Sequence, residues 1–398
     1  MKRKSVLILA VIMSIIYFSG CGADKNKTLE LGGSSDDSQA YWNIYNHNVA
    51  RGETGYYYML SSFFRTSNKS MVRGRFLYYM DADTGVSTLL CSKPDCSHND
   101  TDCNAWLSVN YGIDQIYYYN GYLYAYKYND ENGLVYLVRI SSDGSERKEL
   151  FEIGKGKEVP YCLAFHDNSV YVHIRQGGVS GYDEITSVIR RRSLDGKEDE
   201  NIYEKTSIGA QVYGVKCYGN KIFFMVEEQS RASKDSQERL FNRQGLFVYD
   251  CGTKKYEQFI DGAVSDYTID TDNNVIYYYL VNDGLYKRNL SGEGKPEKLY
   301  TFEDKQTNIC QLSYDGTYLY MSNELYPTFF LEPAKSYELY VCDTDGKILK
   351  QIETPGPFTT FFGDSEYLFS MSEVYTNGSL RCMKKSDITS DAEWVILN

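Results

Sequence analysis

Four residues in one short stretch carry side chains that can hold a metal: Cys91, Cys96, His98 and Cys103, separated by four, one and four residues. Three thiolates and an imidazole make a Cys3His set, which suits zinc or another soft metal because sulfur and imidazole nitrogen are the donors such ions prefer. The spacing departs from the paired Cys-x-x-Cys chelates of common zinc knuckles, so a loop has to wrap the four ligands round one ion. Pro94 and the lack of any apolar period make the segment 91–106 such a loop, and Asp95, Asp100 and Asp102 are the carboxylates within it that could orient the imidazole.

Three other readings use the same residues. Two of the three cysteines could pair in a disulfide, which an extracytoplasmic location permits. All three could stay thiols in a packed loop, or one could be a nucleophile activated by His98. Cys162, Cys217, Cys251, Cys310, Cys342 and Cys382 sit singly in strand-like stretches and read as small buried residues, Cys251 standing where Leu290 stands one repeat later. Nine cysteines besides Cys21 is an odd number. That speaks against a complete disulfide framework and tilts the cluster towards metal or thiolate chemistry.

Little else in the chain spells out a reaction. His47, His166 and His173 form no chelate by spacing, and there is no nucleophile elbow, phosphate-cradling glycine loop or His-Glu-x-x-His helix. Asp270-Thr-Asp272-Asn and Asp343-Thr-Asp345-Gly resemble fragments of calcium loops but lack the terminal acidic ligand, so they read as hairpin turns.

The elements that must position the cluster recur. An apolar-aromatic pair returns at Leu123-Tyr124, Val170-Tyr171, Ile222-Phe223, Ile276-Tyr277, Leu319-Tyr320 and Leu368-Phe369, and five of the six follow a turn pair such as Asn120-Gly121 or Asn168-Ser169. Those turn residues accept the positive φ that tight hairpins need. A second phrase follows each pair and ends in a turn, as in Tyr136 to Asp143-Gly144 and Leu339 to Asp345-Gly346. Gly55 to Leu60 and Leu77 to Gly85 add an earlier copy, making seven units.

This grammar predicts an all-β chain folded as a seven-bladed β-propeller of four-stranded antiparallel blades over residues 41–398. Six or eight blades are the alternatives, because Tyr41 to Ala50 could open the first blade or complete the last. Glu393 to Leu397 is strand-like, so closure is expected there. The 39 Tyr and 18 Phe are expected mainly between blade faces. Spacing between first phrases is 67 residues from Tyr57 to Tyr124 and 43 to 54 elsewhere. The excess matches the cysteine segment, which is therefore expected as an insertion between the first blade and the second, after an outer strand Ser87 to Leu90.

The N-terminus has Lys2, Arg3 and Lys4, an apolar run from Val6 to Phe18, then Ser19-Gly20-Cys21. The run is short for a membrane span and reads as a secretory signal over residues 1–20. Small residues before a cysteine resemble the bacterial lipoprotein signal, which implies cleavage before Cys21 and its lipidation. Residues 21–40 are polar and read as a flexible linker with a span on the order of 25 Å. The formal charge of −12 becomes −15 when Lys2, Arg3 and Lys4 are removed. An acidic surface argues against nucleic acid and against adhesion to anionic lipid, leaving membrane attachment to the lipid anchor.

Val188 to Gly196 and Leu77 to Asp81 resemble the propellers of the low-density lipoprotein receptor type, whose blades carry a Tyr-Trp-Thr-Asp strand and an Arg-x-x-x-Asp-Gly turn, although that tetrapeptide is absent. The chain is also similar over its mature length to a set of Gram-positive lipoproteins that share the lipid signal, Tyr-rich blades and a segment like Cys91 to Trp106. The resemblance implies an envelope-anchored propeller on the extracytoplasmic face of the membrane and brings no activity with it. The expected function is a binding or scaffolding module for an envelope protein or glycan, engaged at one end of the ring. The alternative is a propeller-type glycan lyase or hydrolase using carboxylates and Tyr at the ring centre.

Overall fold

The computed structural model describes residues 29–31, 49–65, 71–99, 102–108, 115–129, 132–155, 159–177, 184–231, 239–302, 311–322, 338–353, 359–363, 366–372, 379–388 and 394–397. Among them the strands form seven antiparallel sheets, each made of consecutive strands: blade 1 over 49–108, blade 2 over 116–155, blade 3 over 159–208, blade 4 over 211–261, blade 5 over 264–300, blade 6 over 311–353 and blade 7 over 359–397. First strands of successive sheets lie side by side: Val49–Arg51 by Ile116–Tyr119, Val159–His166 by Gln211–Tyr218, and Gln311–Tyr314 between Val264–Asp270 and Thr359–Gly363. The chain is a seven-bladed β-propeller.

The repeated first phrase is the second strand of each blade, and the second phrase is the third. Turn residues ahead of the second strand adopt the expected positive φ, including Asn120, Asn168, Asn274, Gly219 and Gly316. Second strands have neighbours on both faces, so Val275–Tyr279 and Ser169–Ile174 are buried without alternation. Aromatic side chains fill the seams: Tyr57 stacks on Tyr118 between blades 1 and 2, Tyr124 meets Phe165 between 2 and 3, Phe223 meets Tyr267 between 4 and 5, and Tyr277 meets Tyr314 between 5 and 6. Tyr56, Tyr58, Tyr117, Tyr171 and Tyr267 are fully buried, which bears out the packing role of the tyrosines.

A backbone bond repeats from blade to blade. The residue after the third strand donates its N–H to the carbonyl of the turn before the second strand: Leu194 to Asn168 at 2.8 Å, Leu290 to Asn274 at 2.9 Å, Ala82 to Thr54 at 3.1 Å and Cys251 to Asn220 at 3.2 Å. Both hairpin turns of a blade therefore lie on one face of the ring. Cys251 and Leu290 are equivalent, as their sequence positions imply. The Asp270 and Asp343 segments are indeed turns, with the Asp270 carboxylate accepting the Asn273 N–H at 3.1 Å and that of Asp343 accepting the Lys347 N–H at 2.9 Å.

Among the described residues, the first and last strands of the ring do not share a sheet. Val49–Arg51 opens blade 1 and Val395–Leu397 completes blade 7, each beside its own neighbours. Side chains close the ring instead: Tyr56 lies 4.7 Å from Phe369 and 5.4 Å from Tyr367 between ring centroids, and Arg51 pairs with Glu366 at 3.2 Å.

Within the segment expected to be a flexible linker, residues 29–31 are docked on the ring. The Leu29 N–H donates to the Leu290 carbonyl at 2.6 Å, the Leu31 carbonyl accepts the Asn220 N–H at 2.9 Å, and the Leu29 side chain is buried in the core shared by blades 4 and 5. Two leucines in a polar stretch have an apolar seam to cover, and burying them offsets the ordering of three residues. The signal segment and Cys21 lie outside the described residues, and among the described residues no helix is long and apolar enough to cross a membrane.

Candidate metal centre

The cysteine loop grows from inside the outermost strand of blade 1, not from the link between blades 1 and 2. Ser87–Leu89 pairs with Tyr78–Met80, and after the loop Trp106–Ser108 pairs with Gly74–Phe76 of the same neighbouring strand, Met71–Asp81. Leu77 sits between these two stretches and joins both ends of the loop. Its carbonyl accepts the Leu90 N–H at 2.9 Å, and its own N–H donates to the Ala105 carbonyl at 2.9 Å. Leaving and re-entering at one residue puts Cys91 and Cys103 next to each other, although eleven residues separate them in the chain.

Trp106 locks the return. Its indole is 2% exposed and meets Phe76 edge-on at 5.2 Å. Gly74 makes room for it, since a Cβ there would fall 2.1 Å from the indole ring. Within the loop, Asp95 and His98 take φ of +62° and +55°, a left-handed conformation that Asp and His tolerate better than most residues. Two such reversals, on either side of Cys96, curl the chain so that its donor side chains converge.

The outcome is convergence. One donor atom from each of Cys91, Cys96, His98 and Cys103 lies within 4.8 Å of all the others, and Cys103 Sγ is 3.5 Å from His98 Nδ1. Zn–S and Zn–N bonds of about 2.3 and 2.0–2.1 Å set at a tetrahedral angle give an S···N edge of about 3.6 Å. The donor set and the separation therefore fit a tetrahedral ion. None of the three cysteines is in a disulfide.

The surroundings treat the thiols differently. Burial pushes the Cys103 thiol up to about 12. A sulfur so placed stays protonated at neutral pH unless a cation sits beside it, and a bound ion would deprotonate it outright. Burial also acts upward on Cys91, but backbone N–H groups of Lys93 and Asn104 and the neighbouring thiols outweigh it, and the net shift is down.

Blade 2 supplies the second half of the support. Arg147 reaches across the seam and donates through Nη1 to the carbonyls of Cys103, at 2.8 Å, and Trp106. Asn104 Nδ2 donates to the Gly144 and Ser145 carbonyls at 3.0 and 2.9 Å. Gly144, at φ of +72°, lies so close that a Cβ would stand 2.5 Å from the Leu90 carbonyl oxygen. Arg147, Asn104 and Gly144 are supporting residues that sequence reasoning missed. The bonds of Arg147 to the Cys103 and Trp106 carbonyls leave no trace in residue type, because every residue carries that acceptor.

The other sequence candidates stand apart. His166 Nε2 is 3.0 Å from Asn220 Oδ1, and His173 is fully buried in blade 3, where desolvation and the nearby Arg175 charge lower its pKa to about 3. Asp100 lies outside the described residues, as do Cys310 and Cys21.

No protein-family model and no curated protein matches the chain. Among solved structures, it is similar to the β-propeller domain of the Trilobed protease from Pyrococcus furiosus, with 14% identity over 90% of this chain and 98% of that one and a TM-score of 0.49. A putative 6-phosphogluconolactonase from Bacteroides fragilis gives 13% identity over 87% and 94% with a TM-score of 0.49, and an oligogalacturonate lyase from Vibrio parahaemolyticus gives 11% over 85% and 90% with a TM-score of 0.47.

Proposed function

We propose that the protein is a binding module held on the extracytoplasmic face of a membrane by a lipid on Cys21, with the blade 1 loop that packs on blade 2 held in shape by zinc or another soft metal on Cys91, Cys96, His98 and Cys103. Four protein ligands leave no open coordination position, so such an ion would hold structure and not activate water. The ligand is an envelope protein or glycan. With Cys21 eight residues before Leu29, the face carrying the hairpin turns lies within about 28 Å of the anchor, since an extended chain reaches at most about 3.5 Å per residue.

One observation carries the choice of binder over enzyme: the carboxylates of the first strands are engaged by the fold. Among the described first strands, only Val264–Asp270 carries carboxylates, Asp266 and Asp270. Asp266 is 1% exposed, accepts the backbone N–H groups of Tyr267 and Leu312 at 2.7 and 2.6 Å, and faces Lys216 Nζ at 3.7 Å. Burial, opposed by Lys216, pushes its pKa up to about 6. Asp270 holds Asn273. A glycan lyase or hydrolase needs an acid and a base free to meet substrate, and these groups hold turns and blades together.

The test is titration of the protein with envelope glycan fragments by calorimetry, followed by mass analysis of the recovered ligand. Saturable binding with the ligand returned intact supports the reading. Cleaved or unsaturated product would transfer the assignment to the enzyme alternative.

A further inference from the structure

The turn face between blades 2 and 3 holds a groove of about 1000 Å³. Its lining includes five cationic side chains, Arg139, Lys148, Arg191, Arg192 and Lys197, against three carboxylates, on a protein whose formal charge is −12. Two of the cations have acidic partners: Arg191 holds Glu198 at 2.6 Å and Glu200 at 3.2 Å, and Lys197 holds Asp195 at 2.8 Å. The other three have no carboxylate within ion-pair distance among the described residues.

Those three are arranged for use. The Arg139 guanidinium lies over the Tyr122 ring at 4.3 Å and that of Arg192 over the Phe151 ring at 4.2 Å. Stacking holds a guanidinium flat while leaving its N–H edge free for a bidentate oxyanion. Arg192 gives one N–H of Nη1 to the Glu152 carbonyl at 2.7 Å and its Nε is buried, so the Nη1–Nη2 end of the guanidinium is what it offers to a ligand. Lys148 stands opposite Arg139 in the strand pair and is exposed, adding an unpaired charge beside it. Asn120 and Asn168, joined at 3.2 Å, add amide groups at the turn side.

From this arrangement we infer that the groove between blades 2 and 3 binds an acidic oligosaccharide, its carboxylate or phosphate oxyanions held by Arg139 and Arg192 and its hydroxyls by the turn amides. This rests on the binding-module reading and gives that module a site and a ligand class. The recognised chemistry is an oxyanion repeated along a polyol chain, which both uronic-acid sugars and sugar or glycerol phosphates carry. Lys148 attracts the ligand to the groove without a fixed geometry, and Arg191, already tied to two glutamates, keeps the floor rigid.

The experiment is calorimetric titration of the whole protein with three probes: a tetrasaccharide of uronic acid, the same sugar as its neutral methyl ester, and a glycerol-phosphate oligomer. The inference expects the ester to bind at least tenfold more weakly than the acid, in keeping with the strength of charge-assisted hydrogen bonds. Whichever anionic probe binds more tightly identifies carboxylate or phosphate as the source. Arg139→Gln and Arg192→Gln should each weaken anion binding on the order of tenfold, and Arg192→Lys, which keeps the charge but loses the fork, should not restore it. Unchanged thermal unfolding of the variants shows that folding is intact. Equal affinity for acid and ester, or wild-type affinity in both glutamine variants, overturns the acidic-ligand assignment while leaving the binding module standing. Failure of all three probes overturns this groove as a glycan site, and if other envelope glycans still bind, the module reading survives it.

Discussion

The seam between blades 1 and 2 and the seam between blades 2 and 3 present the same hairpin turn to different neighbours. In blade 2 the turn is Ser141-Ser-Asp-Gly-Ser-Glu146, and in blade 3 it is Ser193-Leu-Asp-Gly-Lys-Glu198. The serine hydroxyl accepts the glutamate N–H at 2.8 and 2.9 Å, the aspartate accepts the N–H two residues on at 2.9 and 3.1 Å, and the glycine φ is +72° and +76°. Outside the turn the likeness ends. Gly144 is pressed against Leu90 where the cysteine loop leaves the strand, while a Cβ on Gly196 would meet only Phe151, at 3.7 Å. One seam is sealed by an insertion, and the other is left open as a basic groove. A third, between blades 4 and 5, is covered by residues 29–31. The repeat thus supplies a platform of turns, and individuality enters through what covers each seam.

The sharpest way to break the contrast is to unseal the first seam. Cys103→Ser, or chelation of the wild type, should abolish a stoichiometric metal signal in elemental analysis. The unfolding free energy should fall by about 4 kcal/mol or more, since loss of a metal is among the few single changes that cost so much. Hydrogen exchange should rise at Leu77, Leu90 and Trp106 and stay unchanged around Phe151 and Gly196. A purified protein with no metal and undiminished stability after chelation would remove the metal from the account and leave a loop of packed thiols.

The paired glycines give a comparison with the turn held constant. Gly196→Ala should cost about 1–2 kcal/mol, the strain of a left-handed alanine in open space. Gly144→Ala carries the same strain plus a backbone collision with Leu90, which the turn can relieve only by backing away from the loop. A total of about 3 kcal/mol or more is expected, with weaker metal retention as the second readout. Equal costs at the two sites, measured by denaturant unfolding, would mean that the seams are less different than their contacts imply.

These residues also mark what was legible in the sequence. Asn-Gly and Asp-Gly pairs announced the turns because few residues accept positive φ, and the period between them set the number of blades. Cysteine and histidine announced the cluster by donor type alone. The split outer strand was hidden, because Trp106–Ser108 is three residues long and no turn signal introduces it. Arg147 was hidden because it serves carbonyls, which every residue possesses. The groove cations come from two blades and meet only when the ring forms. Leu29 and Leu31 were passed over because their neighbours are polar, whereas their partners lie about two hundred residues and more further on.

Arg147→Met tests how far blade 2 holds the loop in place without touching the ligands. Methionine keeps much of the aliphatic packing and removes the donors to the Cys103 and Trp106 carbonyls. About 2 kcal/mol should be lost, the cost of leaving such acceptors without a charged donor. The metal should remain bound in stoichiometric amount but exchange with competing chelator more quickly. If exchange kinetics are unchanged, the seam is sealed by the loop alone.

The smallest effect belongs to the third seam, and its size follows from the length of the covering segment. Burying a leucine is worth about 1.5–3 kcal/mol, and ordering each backbone residue costs about 1–2 kcal/mol. Three docked residues with two backbone hydrogen bonds therefore gain little over the free chain. Leu29→Ala can lose no more than that small margin, about 1 kcal/mol, because the segment releases before the ring is strained. Limited proteolysis should show faster cleavage between residues 22 and 40 in the variant, with the melting temperature of the ring nearly unchanged. A large drop in melting temperature would instead make residues 29–31 an integral part of blades 4 and 5, as firmly built in as the cysteine loop is in blade 1.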